Sequence, residues 1–166
     1  TRLNHGLDIG GQSIGERTEF HIGAAVNPFA PNLDAEWRRL EFKVEAGAEY
    51  LLTPPVFDLA SLDAVWSRLE ATGLPVITAV VAVESARQVE FHASEVTGVR
   101  VPDGLLDQLR SSVDQGAAGF AWSLALAQEL MGRGRGLRVS SLHGSVESAH
   151  RLITGLHAQR GIVATP

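Results

Sequence analysis

The sequence predicts an α/β protein of parallel strand–helix units, as in one half of a TIM-type (β/α)8 barrel. Short apolar segments alternate strictly along the chain with segments of helical period. Parallel strands need such crossover connections, and strands that are covered on both faces are apolar throughout. The 166 residues are too few for a whole barrel, which takes about 250. Two arrangements stay open from these observations: a four-stranded open sandwich, or half of an eight-stranded barrel.

The first unit follows a polar, glycine-rich segment, residues 1–18, which predicts a lead-in loop. Residues 20–26 (FHIGAAV) are short and apolar and predict a strand. Residues 31–47 predict an amphipathic helix that Gly47 ends. Its apolar face consists of Trp37, Leu40 and Val44.

The second unit begins with residues 49–53 (EYLLT), which predict a strand. Pro54 and Pro55 should end it, because proline has no N–H to donate to a neighbouring strand. Asp58 is placed to cap the next helix, which closes at Gly73. The apolar face of that helix consists of Leu59, Leu62, Trp66 and Leu69.

The rest of the chain repeats the alternation with a longer helical insert. The predicted elements are strands at 74–83 and 137–142, helices at 85–94, 103–112 and 115–131, and a last helix that Ser145 caps.

Composition narrows the classes of function. Hydrophobic residues make up 45% of the chain and charged residues 20%, which is typical of a globular domain. The net charge of −5 and the lack of a basic tract argue against nucleic acid as a partner. No apolar run approaches the roughly 20 residues of a membrane span. The absence of cysteine excludes thiolate chemistry and disulfides and predicts a cytoplasmic protein.

Ligands of parallel α/β folds bind at the carboxyl ends of the strands. That rule selects the residues after each predicted strand: Asn27, Thr53–Phe57, Glu84 and Ser141–His143. The six histidines lack the spacing of a helical metal site, so we predict no metal. His143 gains interest because it follows the last strand on the expected binding edge.

Three segments resemble, in order, the C-terminal half of the methylenetetrahydrofolate reductase barrel. They are FHIGAAVNP at 20–28, KVEAGAEYLLTPPVFD at 43–58 and ESARQVEFHASEVTGVRVPDGLLDQL at 84–109. The resemblance is strongest to the bacterial variety that is fused behind a homocysteine S-methyltransferase domain. It covers essentially the whole chain but about half of the family's domain.

The resemblance implies a flavoprotein that passes a hydride from NAD(P)H to FAD. The flavin then reduces 5,10-methylenetetrahydrofolate to 5-methyltetrahydrofolate. Lys43 corresponds to a lysine that contacts FAD, and Glu36 to an acidic FAD-binding residue. Asn27 falls where some members place a tyrosine that contacts the flavin.

The same resemblance implies a folate-binding set at the carboxyl ends of the second and fourth strands and on the helix after the third. It comprises Thr53, Pro54, Phe57, Phe91 and Leu142, with Phe91 aligned when a two-residue gap is allowed. Many members have glutamine at the position of Pro54, where it hydrogen-bonds the folate, and proline offers no such donor. The family's catalytic acid and flavin-facing aspartate belong to the first half of the barrel, so no residue here is assigned a catalytic role.

The chain is therefore predicted to be a single partial domain over 1–166. A half barrel exposes the edges of its first and last strands. The expected partner is the missing N-terminal half-barrel or a second copy of the chain. Two other readings remain: a non-catalytic, self-associating module that binds folate or a nucleotide, and one subunit of a split reductase.

Overall fold

The computed structural model describes residues 1–142 and 145–160. Its strands are β1 (Gly23–Ala25), β2 (Tyr50–Pro55), β3 (Val76–Ala82) and β4 (Gly136–Ser141). Its helices are α1 (Leu33–Glu45), α2 (Leu59–Glu70), α3 (Ala86–Glu95), α4 (Asp103–Ser111), α5 (Gln115–Arg133) and α6 (Val146–Arg160). A 3-10 turn at Leu3–His5 lies in the lead-in segment. In the described part of the chain, no helix is both long and apolar enough to cross a membrane.

The four strands form one parallel sheet in the order β1-β2-β3-β4. Crossovers between adjacent parallel strands are almost always right-handed, so a sheet in sequential order carries its crossover helices on one face. One buried cluster accordingly joins residues of α1, α2, α5 and α6 with the sheet: Trp37, Leu40, Leu62, Leu69, Leu126, Leu130, Leu152 and Leu156. This arrangement is that of a half barrel and not of an open sandwich with helices on both faces.

The opposite face of the sheet would line the interior of a complete barrel. Its register places Ala25, Leu52, Ile77 and Gly136 side by side across the four strands. Ala25 is exposed and the other three are half-buried. This face is therefore open at its centre.

A second buried cluster lies beyond the carboxyl end of β3, around α3 and α4. Its buried members are Phe57, Val81, Val83, Ala86, Val89, Leu105 and Leu109. The two helices are an insert before the crossover helix α5. They lie beside the carboxyl end of β3, at the edge of the sheet where ligands are expected.

The second strand runs further than predicted. β2 continues through Pro54 and Pro55, with a register shift against β3 between Leu52 and Pro55. Pro55 has no N–H for β3, so the chain bulges and Val56 donates to the carbonyl of Ala79 instead, at 2.9 Å. The prolines do lie at the end of β2, as expected, but the strand includes both of them and does not stop at Thr53. The bulge lets Val56 donate to β3, and the Thr53 hydroxyl accepts the N–H of Ala79.

Candidate functional site

The three residues that were predicted to bind FAD lie together at the carboxyl end of β1. The backbone N–H of Asn27 donates to Glu36 Oε1 at 3.0 Å. Lys43 Nζ donates to the carbonyl oxygen of Ala25 at 2.6 Å and lies 3.9 Å from Glu36 Oε1. Glu36 and Lys43 are seven residues apart on α1, which places them on the same side of the helix.

The charged side chains at the end of β1 comprise one buried carboxylate and two partly exposed cations. Glu36 is 7% exposed, and a buried carboxylate needs partners. Arg39 NH2 supplies one at 2.9 Å from Oε2. The side chains of Lys43 and Arg39 are 37% and 62% exposed. Two cations beside one carboxylate leave an accessible positive charge, which suits a phosphate group.

Asn27 joins β1 to the segment that follows α3. Its Oδ1 accepts from the N–H of Phe29 at 3.0 Å, and its Nδ2 donates to the carbonyl of Thr97 at 3.5 Å. Gly98 has a φ of +84°, and a Cβ there would lie 2.4 Å from Asn27 Nδ2. Glycine is therefore needed at 98 for two reasons, its backbone conformation and the close approach of Asn27. The α3–α4 connection thus crosses from β3 to the end of β1.

The Thr53 side chain forms hydrogen bonds to backbone groups at the bulge of β2. Its hydroxyl donates to the carbonyl of Pro54 at 2.9 Å and accepts from the N–H of Ala79 at 3.1 Å. The side chain is buried, and both hydrogen bonds are to backbone. Pro54 is half-buried beside it. Thr53 therefore shapes the strand end on which a ligand would rest.

The other predicted folate contacts differ in their burial and in whether they contact the second cluster. Phe57 is 2% exposed and belongs to the cluster, with the His92 ring centred 6.1 Å away. Leu142 is half-buried and packs against the same cluster. Phe91 is 56% exposed on α3. His143 lies outside the described residues.

A carboxylate at the end of β3 links two helices. Glu84 accepts a hydrogen bond from Gln88 Nε2 at 2.9 Å and another from the Ser148 hydroxyl. It lines a cavity of about 260 Å³ with the first turns of α5 and α6. The sequence placed Glu84 at a strand end, but these contacts depend on how α6 docks. Its carboxylate is already occupied by these partners.

Asp58 caps α2, as the sequence predicted. Its carboxylate accepts from the Ser61 hydroxyl at 2.6 Å and from the N–H groups of Ala60 and Ser61 at 3.1 Å. The Ser61 hydroxyl is the main cause of a lowered pKa of Asp58, against the opposing effect of partial burial. The two N–H groups and the charge of Arg100 lower the pKa of Asp58 further. Ser145 likewise caps α6, accepting from the N–H of Ser148 at 3.3 Å.

We expect Asp58→Ala to lower the free energy of unfolding by about 1 kcal/mol at pH 7. A carboxyl whose pKa is lower in the folded state stabilises the fold above its unfolded pKa, near 3.9. That contribution is lost as the pH falls through the folded value, so the difference from wild type should shrink below about pH 4. Urea unfolding at pH 7 and pH 3 measures it. Asp58→Asn is the control, because an amide oxygen still caps without a titratable charge; an equal Asp58→Ala loss at both pH values would contradict the assignment.

Comparison with known proteins identifies the family to which the chain belongs. The family model for methylenetetrahydrofolate reductase matches residues 17–146, which include all four strands. A search of curated proteins found no match. Among solved structures, the chain is similar to an uncharacterized protein from Clostridium thermocellum that binds two copies of 5-methyl-5,6,7,8-tetrahydrofolic acid.

That likeness concerns the fold. The TM-score is 0.59 at 20% sequence identity, over 85% of this chain and 54% of the other. The chain therefore spans about half the length of that protein, as expected for half of a barrel. The fusion to a methyltransferase domain remains a prediction. With four parallel strands in sequential order and a family match across all of them, the chain belongs to the methylenetetrahydrofolate reductase family.

Proposed function

We propose that this chain forms the C-terminal half of a flavin-dependent reductase barrel. The complete barrel would reduce 5,10-methylenetetrahydrofolate to 5-methyltetrahydrofolate at the expense of NAD(P)H. The observation that carries the proposal is the family match over residues 17–146. The N-terminal half would come from the same polypeptide or from a separate subunit of a split reductase.

The residues at the end of β1 fit the diphosphate end of FAD. Lys43 and Arg39 offer accessible cations on one side of α1, and Glu36 fixes both of them. Asn27 presents its amide at the same strand end, where it already orders the α3–α4 connection. When bound, FAD would supply the redox chemistry, while these side chains hold and orient it.

The folate side would be built on the second cluster. The predicted contacts with accessible side-chain surface are Leu142, which packs against that cluster, and Phe91, which is exposed on α3, while Phe57 is buried within the cluster. Pro54 brings no hydrogen-bond donor, so recognition of the pterin ring must rely on other groups. The catalytic acid would come from the N-terminal half.

Titration of FAD with the purified chain, followed by quenching of flavin fluorescence, tests the proposal. Saturable binding is expected, and Lys43→Ala should weaken it about tenfold to a hundredfold. That range corresponds to the roughly 1.5–3 kcal/mol of a charge-assisted contact. Arg38→Ala is the matched control, because Arg38 is an exposed cation on the same helix. Equal affinity of wild type and Lys43→Ala would overturn the assignment of Lys43.

A second candidate function is folate binding without redox chemistry, in a self-associating module. The observation that favours it is the structurally similar clostridial protein, which binds 5-methyltetrahydrofolate. Calorimetric titration with 5-methyltetrahydrofolate in the absence of FAD separates the two. Folate binding with no flavin binding would favour this second function.

A further inference from the structure

In the four strands that the structure describes, Arg138 is the only charged residue. Its neighbours on β4, Leu137 and Val139, pack against the buried cluster between the sheet and the helices. Successive side chains of a strand point to opposite faces of the sheet. Arg138 therefore lies on the face that lines the interior of a complete barrel. That interior is a packed core, in which a guanidinium needs an anion or hydrogen-bond acceptors.

The described residues supply no ion pair or hydrogen bond to the Arg138 guanidinium, and the side chain is exposed. Its neighbours on the same face, Ile77 and Ala79 of β3 and Ser140 of β4, carry no charge. In the complete barrel, a partner for this guanidinium must therefore come from a bound ligand or from the N-terminal half.

The register of the sheet places Arg138 level with the carboxyl end of β2. Arg138 pairs with Ala79 of β3, and Ala79 pairs with Pro55, the last residue of β2. Neighbouring strands lie about 4.8 Å apart, so the backbones at Arg138 and Pro55 are separated by about 10 Å. Between them Ala79 contributes only a methyl group, over which the long arginine side chain can extend. The guanidinium is thus within reach of the strand end at which folate is proposed to bind.

The end of β2 has few donors to offer such a ligand. Pro54 and Pro55 have neither an N–H nor a polar side chain. The Thr53 hydroxyl already donates to the carbonyl of Pro54. The pteridine ring of folate presents a carbonyl oxygen and ring nitrogens as acceptors, and a guanidinium presents five N–H donors in one plane.

We propose that Arg138 donates to the pteridine ring of the folate in place of a donor at position 54. This inference rests on the folate site of the proposed function and names a specificity-determining residue for it. The positive charge would also lie inside the barrel, where water is excluded once the ligand is bound and a charge-assisted hydrogen bond is strong.

Calorimetric titration of the chain with 5-methyltetrahydrofolate tests the role of Arg138. Arg138→Met should weaken binding about tenfold to a hundredfold, as expected for the loss of a charged donor. Arg135→Met is the control, because Arg135 is an exposed arginine just before β4 whose backbone N–H, not its side chain, bonds to Val76. Its folate affinity should equal that of wild type. Equal affinity of wild type and Arg138→Met, or a wild-type chain that binds no folate, would overturn the proposal.

A second substitution tests whether Arg138 replaces a donor at position 54. Pro54→Gln in the Arg138→Met background returns an amide donor to the end of β2 and should restore most of the lost folate affinity. A double variant as weak as Arg138→Met would refute the replacement. Far-UV circular dichroism of each variant checks that the fold is retained.

Two further titrations separate this inference from its alternatives. 6-Methyltetrahydropterin lacks the glutamate tail, so Arg138→Met should weaken its binding as well. A loss confined to p-aminobenzoylglutamate would place the guanidinium on the tail carboxylate and refute the pteridine contact. FAD affinity should be the same for wild type and Arg138→Met. A wild type that binds folate but no FAD would contradict the proposed reductase, whereas Arg138 is judged by the folate titrations alone.

Discussion

Phe57→Ala is expected to lower the free energy of unfolding by about 3–5 kcal/mol. The ring is 2% exposed and packs in the second cluster with side chains of β3, α3 and α4. Its removal leaves a cavity that the surrounding helices fill only in part. Because small domains are stable by about 5–15 kcal/mol, the loss would be a large fraction of the total. Urea unfolding followed by circular dichroism measures it.

Phe91 provides the matched comparison, since the resemblance assigns both phenylalanines to the folate site. The Phe91 side chain is 56% exposed, so Phe91→Ala should change the free energy of unfolding by about 0.5 kcal/mol or less. Its effect is expected on folate affinity instead. Equal stability losses for the two variants would contradict the burial difference that separates their roles.

Local signals in the sequence predicted most of the helices well. Asp58 and Ser145 cap the helices that follow them, as a short polar side chain before an apolar periodic segment indicates. Trp37 and Leu40 are buried as the helical spacing predicts. These features depend on residues three or four positions apart, which is why a sequence reveals them.

The features that the sequence did not reveal depend on distant residues. The bulge at Pro54–Pro55 depends on the N–H of Ala79 on another strand, which donates to the hydroxyl oxygen of Thr53. The crossing of the α3–α4 connection to Asn27 joins positions 70 residues apart. Proline correctly indicated a missing donor, but how the fold replaces that donor is decided by tertiary contacts.

In the candidate site, too, some features could be predicted from the sequence and others depend on tertiary contacts. Resemblance grouped Asn27, Glu36 and Lys43, and the structure brings them together at one strand end. It did not reveal that Glu36 and Lys43 also satisfy the backbone of β1. Helical spacing places two side chains on the same face, whereas the backbone groups within their reach depend on how the helix docks.

Gly119→Ala is expected to destabilise the fold by about 1–3 kcal/mol, although alanine is the better helix former. Gly119 lies in α5 where the helix touches the end of β3, and a Cβ there would lie 2.4 Å from the carbonyl oxygen of Val83. The obstacle is backbone, so α5 itself must move. That movement would also strain a buried link: the Ser123 hydroxyl donates to the Gly119 carbonyl at 2.8 Å and accepts from the Val83 N–H at 3.0 Å.

Gly132→Ala in the same helix separates packing from helix propensity. A Cβ at Gly132 meets nothing within 4 Å, and its φ is not in the left-handed region. Alanine should therefore stabilise the protein there, by up to about 1 kcal/mol, less near the helix end. Thermal and urea unfolding of the two variants should shift in opposite directions. If Gly119→Ala were also stabilising, α5 would not lie this close to the end of β3. The packing of α3 and α4, which connect β3 to α5 in the chain, would then also have to differ.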